Sequence, residues 1–176
     1  NSTDTIGNIG TPELDTVMAI GANPKKKSAQ GEYANINVYS VKISNESGVV
    51  SSYDATNNTG NGHSASATTW KDLSGSNNGT LHGGTWGSDY LKFNGTSDWV
   101  NLGKINLTNQ ATIETTILAN EIQNDSITLV GNFEVGGTGL QLQGGYIAFL
   151  IYSEKQNIYI TLKSSKKIKA GEKTKI

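Results

Sequence analysis

Nowhere in this chain do apolar residues keep a helical spacing. They come in short runs containing Ile, Val and Tyr that stop at clusters of Gly, Asn, Ser and Thr. Runs of that length bounded by turn residues are what short β-strands joined by tight turns require. The 21 Gly and only 2 Pro among 176 residues fit the same reading. The expected fold class is all-β, a sandwich of two antiparallel sheets. The length suffices for one such unit with a full core and is tight for two.

Individual segments sharpen this expectation. A strand is expected over Thr16 to Ile20, then a solvent-facing loop carrying Lys25, Lys26 and Lys27. Residues 35–44 alternate so that Ile36 and Val38 share one face and Tyr39, Val41 and Ile43 the other, which predicts partial cover on both. Residues 54–80 are nearly all small and polar and read as long loops around Trp70. Residues 90–103 predict a hairpin turning at Asn94-Gly95, and residues 138–153 another at Gly144-Gly145. Between them Ile113, Thr115 and Ile117 take the core face, against Thr112, Glu114 and Thr116. Ile158, Ile160 and Leu162 share one face of a later strand, and the lysine-rich end turns into a strand at Ile176.

Charge and cysteine content narrow the partners. Fourteen Lys stand against 15 acidic residues with no Arg, a net charge of -1. This is no field for nucleic acid, and the side chain best suited to bidentate phosphate contacts is missing. The absence of Cys excludes a disulfide scaffold and cysteine-ligated zinc. No apolar run reaches the roughly 20 residues of a membrane span. Asn1-Ser2-Thr3-Asp4 is too polar for a signal peptide, so an export signal or anchor is expected outside these residues.

Three pieces, TTWKDLSGSNNGTLHGGTW, YLKFNGTSDWVNLG, and AIGANP with EYANINVYSVKIS, resemble the concanavalin A-like lectin and glucanase superfamily, specifically its bacterial laminin G-like group. Trp70, Asp72, Ser74, Gly75, Asn78 and Gly79 carry the first likeness. In the second, Asn94 and Trp99 replace the family's Asp and Tyr. The resemblance implies a jelly-roll sandwich, in rotated order. Residues 1–44 correspond to the C-terminal strands, 45–53 to a connector and 54–176 to the N-terminal and middle part, with the central hairpin absent. It implies a cut across tandem repeats, or one domain with a segment removed, and a sandwich incomplete without another copy or a separate segment to fill it by strand swapping.

The candidate site residues follow from chemistry. A glucanase needs two carboxylates facing one cleft. The nearest are Glu114, alone on its strand, and the loop pair Glu121 and Asp125, so no enzyme is expected. His63 and His82 stand in separate loops with no Asp or Cys at ligand or triad spacing. Sugar recognition uses an aromatic face and amide or hydroxyl partners. That nominates Trp99, Asn101, Tyr53, His63 and Trp70 for ligand binding, with Trp70 and Trp86 also readable as core. Trp99 is exposed if its face of the strand is open. Calcium is the cofactor the resemblance implies, at Asp72, Asp98, Asn77 and Asn78, where Asp72 reads equally well as a turn cap.

The function expected is a non-catalytic extracellular binding or adhesion module of a bacterial surface, one repeat among several, recognising carbohydrate or matrix ligands through loops at one rim. The alternative is a structural stalk or assembly module of a surface or phage-like appendage, completed by strand exchange.

Overall fold

A computed structural model describes residues 17–23, 32–105, 107, 110–133, 137–153 and 158–176. Their strands are β1 (Ala19–Ile20), β2 (Ile36–Asn45), β3 (Gly48–Asp54), β4 (Thr69–Trp70), β5 (Gly79–His82), β6 (Thr85–Trp86), β7 (Leu91–Lys92), β8 (Trp99–Asn101), β9 (Ala111–Ala119), β10 (Ser126–Gly131), β11 (Thr138–Gln143), β12 (Tyr146–Ser153), β13 (Ile158–Lys167) and β14 (Lys173–Lys175). They form two antiparallel sheets packed face to face as a β-sandwich. The eight-stranded sheet runs β13-β12-β11-β10-β1-β8-β5-β4. The six-stranded sheet runs β14-β9-β2-β7-β6, with β3 also on β2.

The first strands lie in the middle of both layers. β1 is only two residues long, yet it pairs with β8 on one side and β10 on the other. Backbone bonds from Met18 N to Gly103 O and from Gly21 N to Leu129 O prolong it. Gly21 is required there. Its φ is +83°, and a Cβ would stand 2.7 Å from the Phe93 ring. β2 pairs along its length with β9, while its other edge is divided between β7 at Asn37 and Val38 and β3 from Ser40 to Asn45. Residues 45–53, expected as a connector, hold the turn at Glu46-Ser47 and most of β3.

Two expectations need correction. In β2 the register against β9 shifts between Val38 and Ser40. This bulge resets the alternation, so Ile36, Val38, Val41 and Ile43 are all buried on one face while Tyr39 and Ser40 are both only half-buried. The predicted hairpin over 90–103 is a turn without strand pairing. Asn94 Oδ1 accepts from the amides of Thr96, Ser97 and Asp98. β7 then stays with β2 and β6, whereas β8 crosses to β1 and β5.

Other readings agree with the structure. Ile113, Thr115 and Ile117 are buried on β9, and β11 and β12 form a hairpin through Gly144-Gly145, both at positive φ. The expected Thr16 lies outside the described residues, as do Lys25, Lys26 and Lys27. No helix among the described residues is long and apolar enough to cross a membrane.

The core fills the space between the sheets with Met18, Ile20, Ile36, Phe93, Leu102 and their neighbours. Each fully buried large apolar side chain contributes about 1.5–3 kcal/mol. Trp70 and Trp86 meet edge to face at 5.2 Å, and their indole N–H groups donate to Asp54 O and Ala67 O. This satisfies the polar atom each ring carries inside.

Candidate binding face

The side of the eight-stranded sheet turned away from the core can be read from the register. Ile20 and Val100 point inward, so their neighbours Ala19, Trp99 and Asn101 point outward. Trp99 stands opposite His82, and Asn101 opposite Ala19 and Thr80. The rings of His82 and Trp99 stack, with centroids 4.2 Å apart and planes 7° from parallel. His82 is exposed, while Ala19, Ala22 and Tyr33 help to bury the indole to 7 %. The aromatic surface offered to solvent is therefore the imidazole, and Trp99 lies beneath it.

Across β1 the same face carries a polar set. Thr128 and Gln141 are cross-strand partners, both buried. Glu32 Oε2 accepts from Thr128 Oγ1 at 2.9 Å and from Gln141 Nε2 at 3.0 Å. Gln141 Oε1 in turn accepts from Gln143 Nε2 at 2.9 Å. The Thr128 amide donates to the Glu32 carbonyl, so Glu32 is held from both main chain and side chain. It sits at φ +54°, a conformation costing a non-glycine residue about 1 kcal/mol or more. Half-buried, its carboxylate stands at the surface on a fixed mount.

Beside this set the sheet is built from Gly131 and Gly139, which face each other across β10 and β11. The Phe133 ring lies on them. A Cβ at Gly131 would be 2.6 Å from Phe133 Cε2, and one at Gly139 2.8 Å from its Cζ. Phe133 is 8 % exposed although it lies outside the sandwich core.

Of the ligand-binding candidates, Trp99 and Asn101 share this face. Asn101 is half-buried and its Oδ1 accepts from Gly103 N at 2.8 Å. Tyr53 and Trp70 are inside the core, 5.8 Å apart edge to face, so neither presents a face for stacking on a sugar. His63 is exposed, its Nδ1 2.9 Å from Ala55 O and its ring against Trp86, at the other end of that aromatic row.

Asp72 has the geometry of a turn cap. It is buried, and its carboxylate accepts from the amides of Ser52, Ser74 and Asn77 at 2.9–3.1 Å. Its own amide donates to Asn78 Oδ1, while Asn77 Nδ2 reaches Ser51 Oγ. Three amide donors stabilise this carboxylate's charge. Asp98 is tied into a different loop, accepting from Asn94 N and Ser97 Oγ. Among the described residues no three of His, Cys, Asp and Glu gather as a metal-holding group.

The strand carboxylate Glu114 lies outward on the six-stranded sheet, paired with Lys42 opposite and with Lys175 at 3.8 Å. Lys42 holds its pKa below the usual carboxylate value, the reverse of what a general acid needs. Glu121 accepts from Asn35 Nδ2, and Asp125 is exposed.

Sequence reasoning passed over Glu32, Thr128, Gln141 and Gln143, and it read His82 as a loop residue whereas it stands on β5. Gln141 and Gln143 had a usable signal, because they alternate with Leu140 and Leu142 and so had to share the outer face. Glu32 had none, since its partners are 96 and 109 residues away.

No protein-family model, curated protein or solved structure matches this chain.

Proposed function

We propose that this chain is a non-catalytic extracellular binding module, of the laminin G-like kind, whose outer face on the eight-stranded sheet takes a carbohydrate. The observation that carries this reading is the Glu32–Gln141–Gln143 set standing on the same face as the His82–Trp99 stack, with β10 and β1 between β11 and β8. A sugar ring presents an apolar face to an aromatic ring and hydroxyls to carboxylate and amide groups, and a mount already fixed by hydrogen bonds spends less entropy on binding. The surface is a sheet face rather than a rim of loops. The non-catalytic reading rests on Glu114, whose charge is balanced by two lysines.

A glycan array probed with the whole chain tests this. Binding is expected to a subset of neutral glycans, and to weaken at least about tenfold in His82→Ala and in Gln143→Ala, both side chains reached from solvent. No binding, or binding that both variants leave intact, would overturn it.

A further inference from the structure

The two sheets do not end together. The eight-stranded sheet closes on β13, ten residues long, and the six-stranded sheet on β14, three residues long. On β13, Leu162 lies opposite Phe149 and Ile160 opposite Ile151, in the rows that continue Leu140 and Thr138 of β11. These rows face the other sheet. Even so, Leu162 remains 42 % exposed and Ile158 52 %, because no strand of the six-stranded sheet among the described residues reaches beneath them. Next to β14 the gap becomes a cavity of about 420 Å³ whose lining includes Ile147, Ile168, Thr174 and Ile176 together with the charged residues Lys166, Lys167, Lys169, Glu172 and Lys175.

Among the described residues no strand pairs with the outer edge of β14, and that edge has a defined polarity. Ile176 exchanges both of its backbone bonds with Thr115 of β9, at 3.1 and 2.9 Å. Antiparallel ladders alternate, so Thr174 also turns its bonds toward β9 while the amides of Lys173 and Lys175 face away from it. The Thr174 side chain lines the cavity; those of Lys173 and Lys175 lie on the outer face, 3.7 Å from Asp89 and 3.8 Å from Glu114.

We propose that the outer edge of β14, unpaired among the described residues, takes an added strand from a partner segment in which apolar and acidic side chains alternate. Its apolar side chains fill the cavity and cover Leu162 and Ile160, and its acidic ones lie beside Lys173 and Lys175, whose exposed ion pairs with Asp89 and Glu114 are weak enough to be exchanged. Opposite charges across an antiparallel pair are favourable and like charges unfavourable, so β14 of a second copy, bringing lysine against lysine, is a poor occupant. Strand addition gives affinity through the main chain and selectivity through alternate side chains. This inference is independent of the carbohydrate reading, since it concerns the opposite layer and another ligand.

The test uses a labelled eight-residue peptide alternating Val and Glu, one with Val replaced by Ser, and one with Glu replaced by Lys, each titrated by fluorescence anisotropy against the intact chain. The Val/Glu peptide is expected to bind about tenfold tighter than either control and to slow amide exchange at Lys173 and Lys175. Lys173→Pro removes an outward amide at the start of the strand and is expected to abolish binding at unchanged Tm. Should proline lower Tm, Lys175→Glu leaves the backbone intact and is expected to shift preference toward the Val/Lys peptide. Equal binding of all three peptides, no binding, protection mapping away from β14, or a self-associated chain whose β14 amides are already protected would each overturn the proposal.

Discussion

The imidazole of His82 lies flat on the indole of Trp99, 4.2 Å between centroids. Trp99 is one of three tryptophans, and the other two are enclosed by the core. Removing the imidazole therefore exposes one indole selectively. His82→Ala is expected to shift tryptophan emission to the red and to lower stability by about 1 kcal/mol. An unchanged spectrum would mean that the stack does not cover the ring.

The Phe133 ring occupies the space a side chain would need at Gly131 and at Gly139, but the two sites differ. At Gly131 the nearest obstacles to a Cβ are ring atoms, whereas at Gly139 they are backbone, with Val130 O at 2.3 Å. Gly131→Ala and Gly139→Ala are each expected to cost about 1–3 kcal/mol. In the Phe133→Ala background the Gly131 penalty falls by about 1 kcal/mol and the Gly139 penalty persists, which a double-mutant cycle by urea unfolding measures.

Asp72 ties β3 to the loop that follows Trp70 through three amides. Asp72→Ala leaves these donors without their partner and is expected to cost about 3 kcal/mol. Addition of calcium is expected to leave the Tm of the parent chain where it is. A rise of several degrees with calcium would show that the carboxylate also serves a cation.

The Tyr53 hydroxyl donates to Asn77 O, and its pKa is raised, first by burial and then by the neighbouring Asp72 charge. A raised folded-state value means that the neutral phenol's contribution is fully present below pH about 10, the unfolded value, and is lost as pH rises toward the folded one. Unfolding free energy measured from pH 8 to 12 is expected to fall above pH about 10, and less steeply in Tyr53→Phe. That variant gives up about 1 kcal/mol at pH 8 through the missing hydrogen bond.

How far the sequence revealed the fold depended on whether a signal was local. The alternation of Ile113, Thr115 and Ile117 and the Gly144-Gly145 turn depend on neighbours within a few residues, and both are present as expected. The bulge at Tyr39 could not be seen, because it arises from register against β9, about 75 residues away. Asn94-Gly95 correctly marked a turn, yet only the competing partners of β7 and β8 decide that the chain there changes sheet. At the binding face, Trp99 and Asn101 could be placed by alternation alone. What covers Trp99 and what holds Glu32 are contacts between distant strands, so they appeared only with the fold. Ile158 and Leu162 alternated as core residues, and they remain exposed because the opposite sheet ends short of them.

The most direct test of the central claim is a nuclear magnetic resonance titration of the labelled chain with the strongest glycan from the array. Carbohydrate binding on the eight-stranded sheet predicts shifts concentrated at the Trp99 indole N–H, the His82 ring and the side-chain amides of Gln141 and Gln143. Shifts concentrated instead on the six-stranded sheet, around Tyr39 of β2 and the Tyr90 ring 5.8 Å from it, would contradict it.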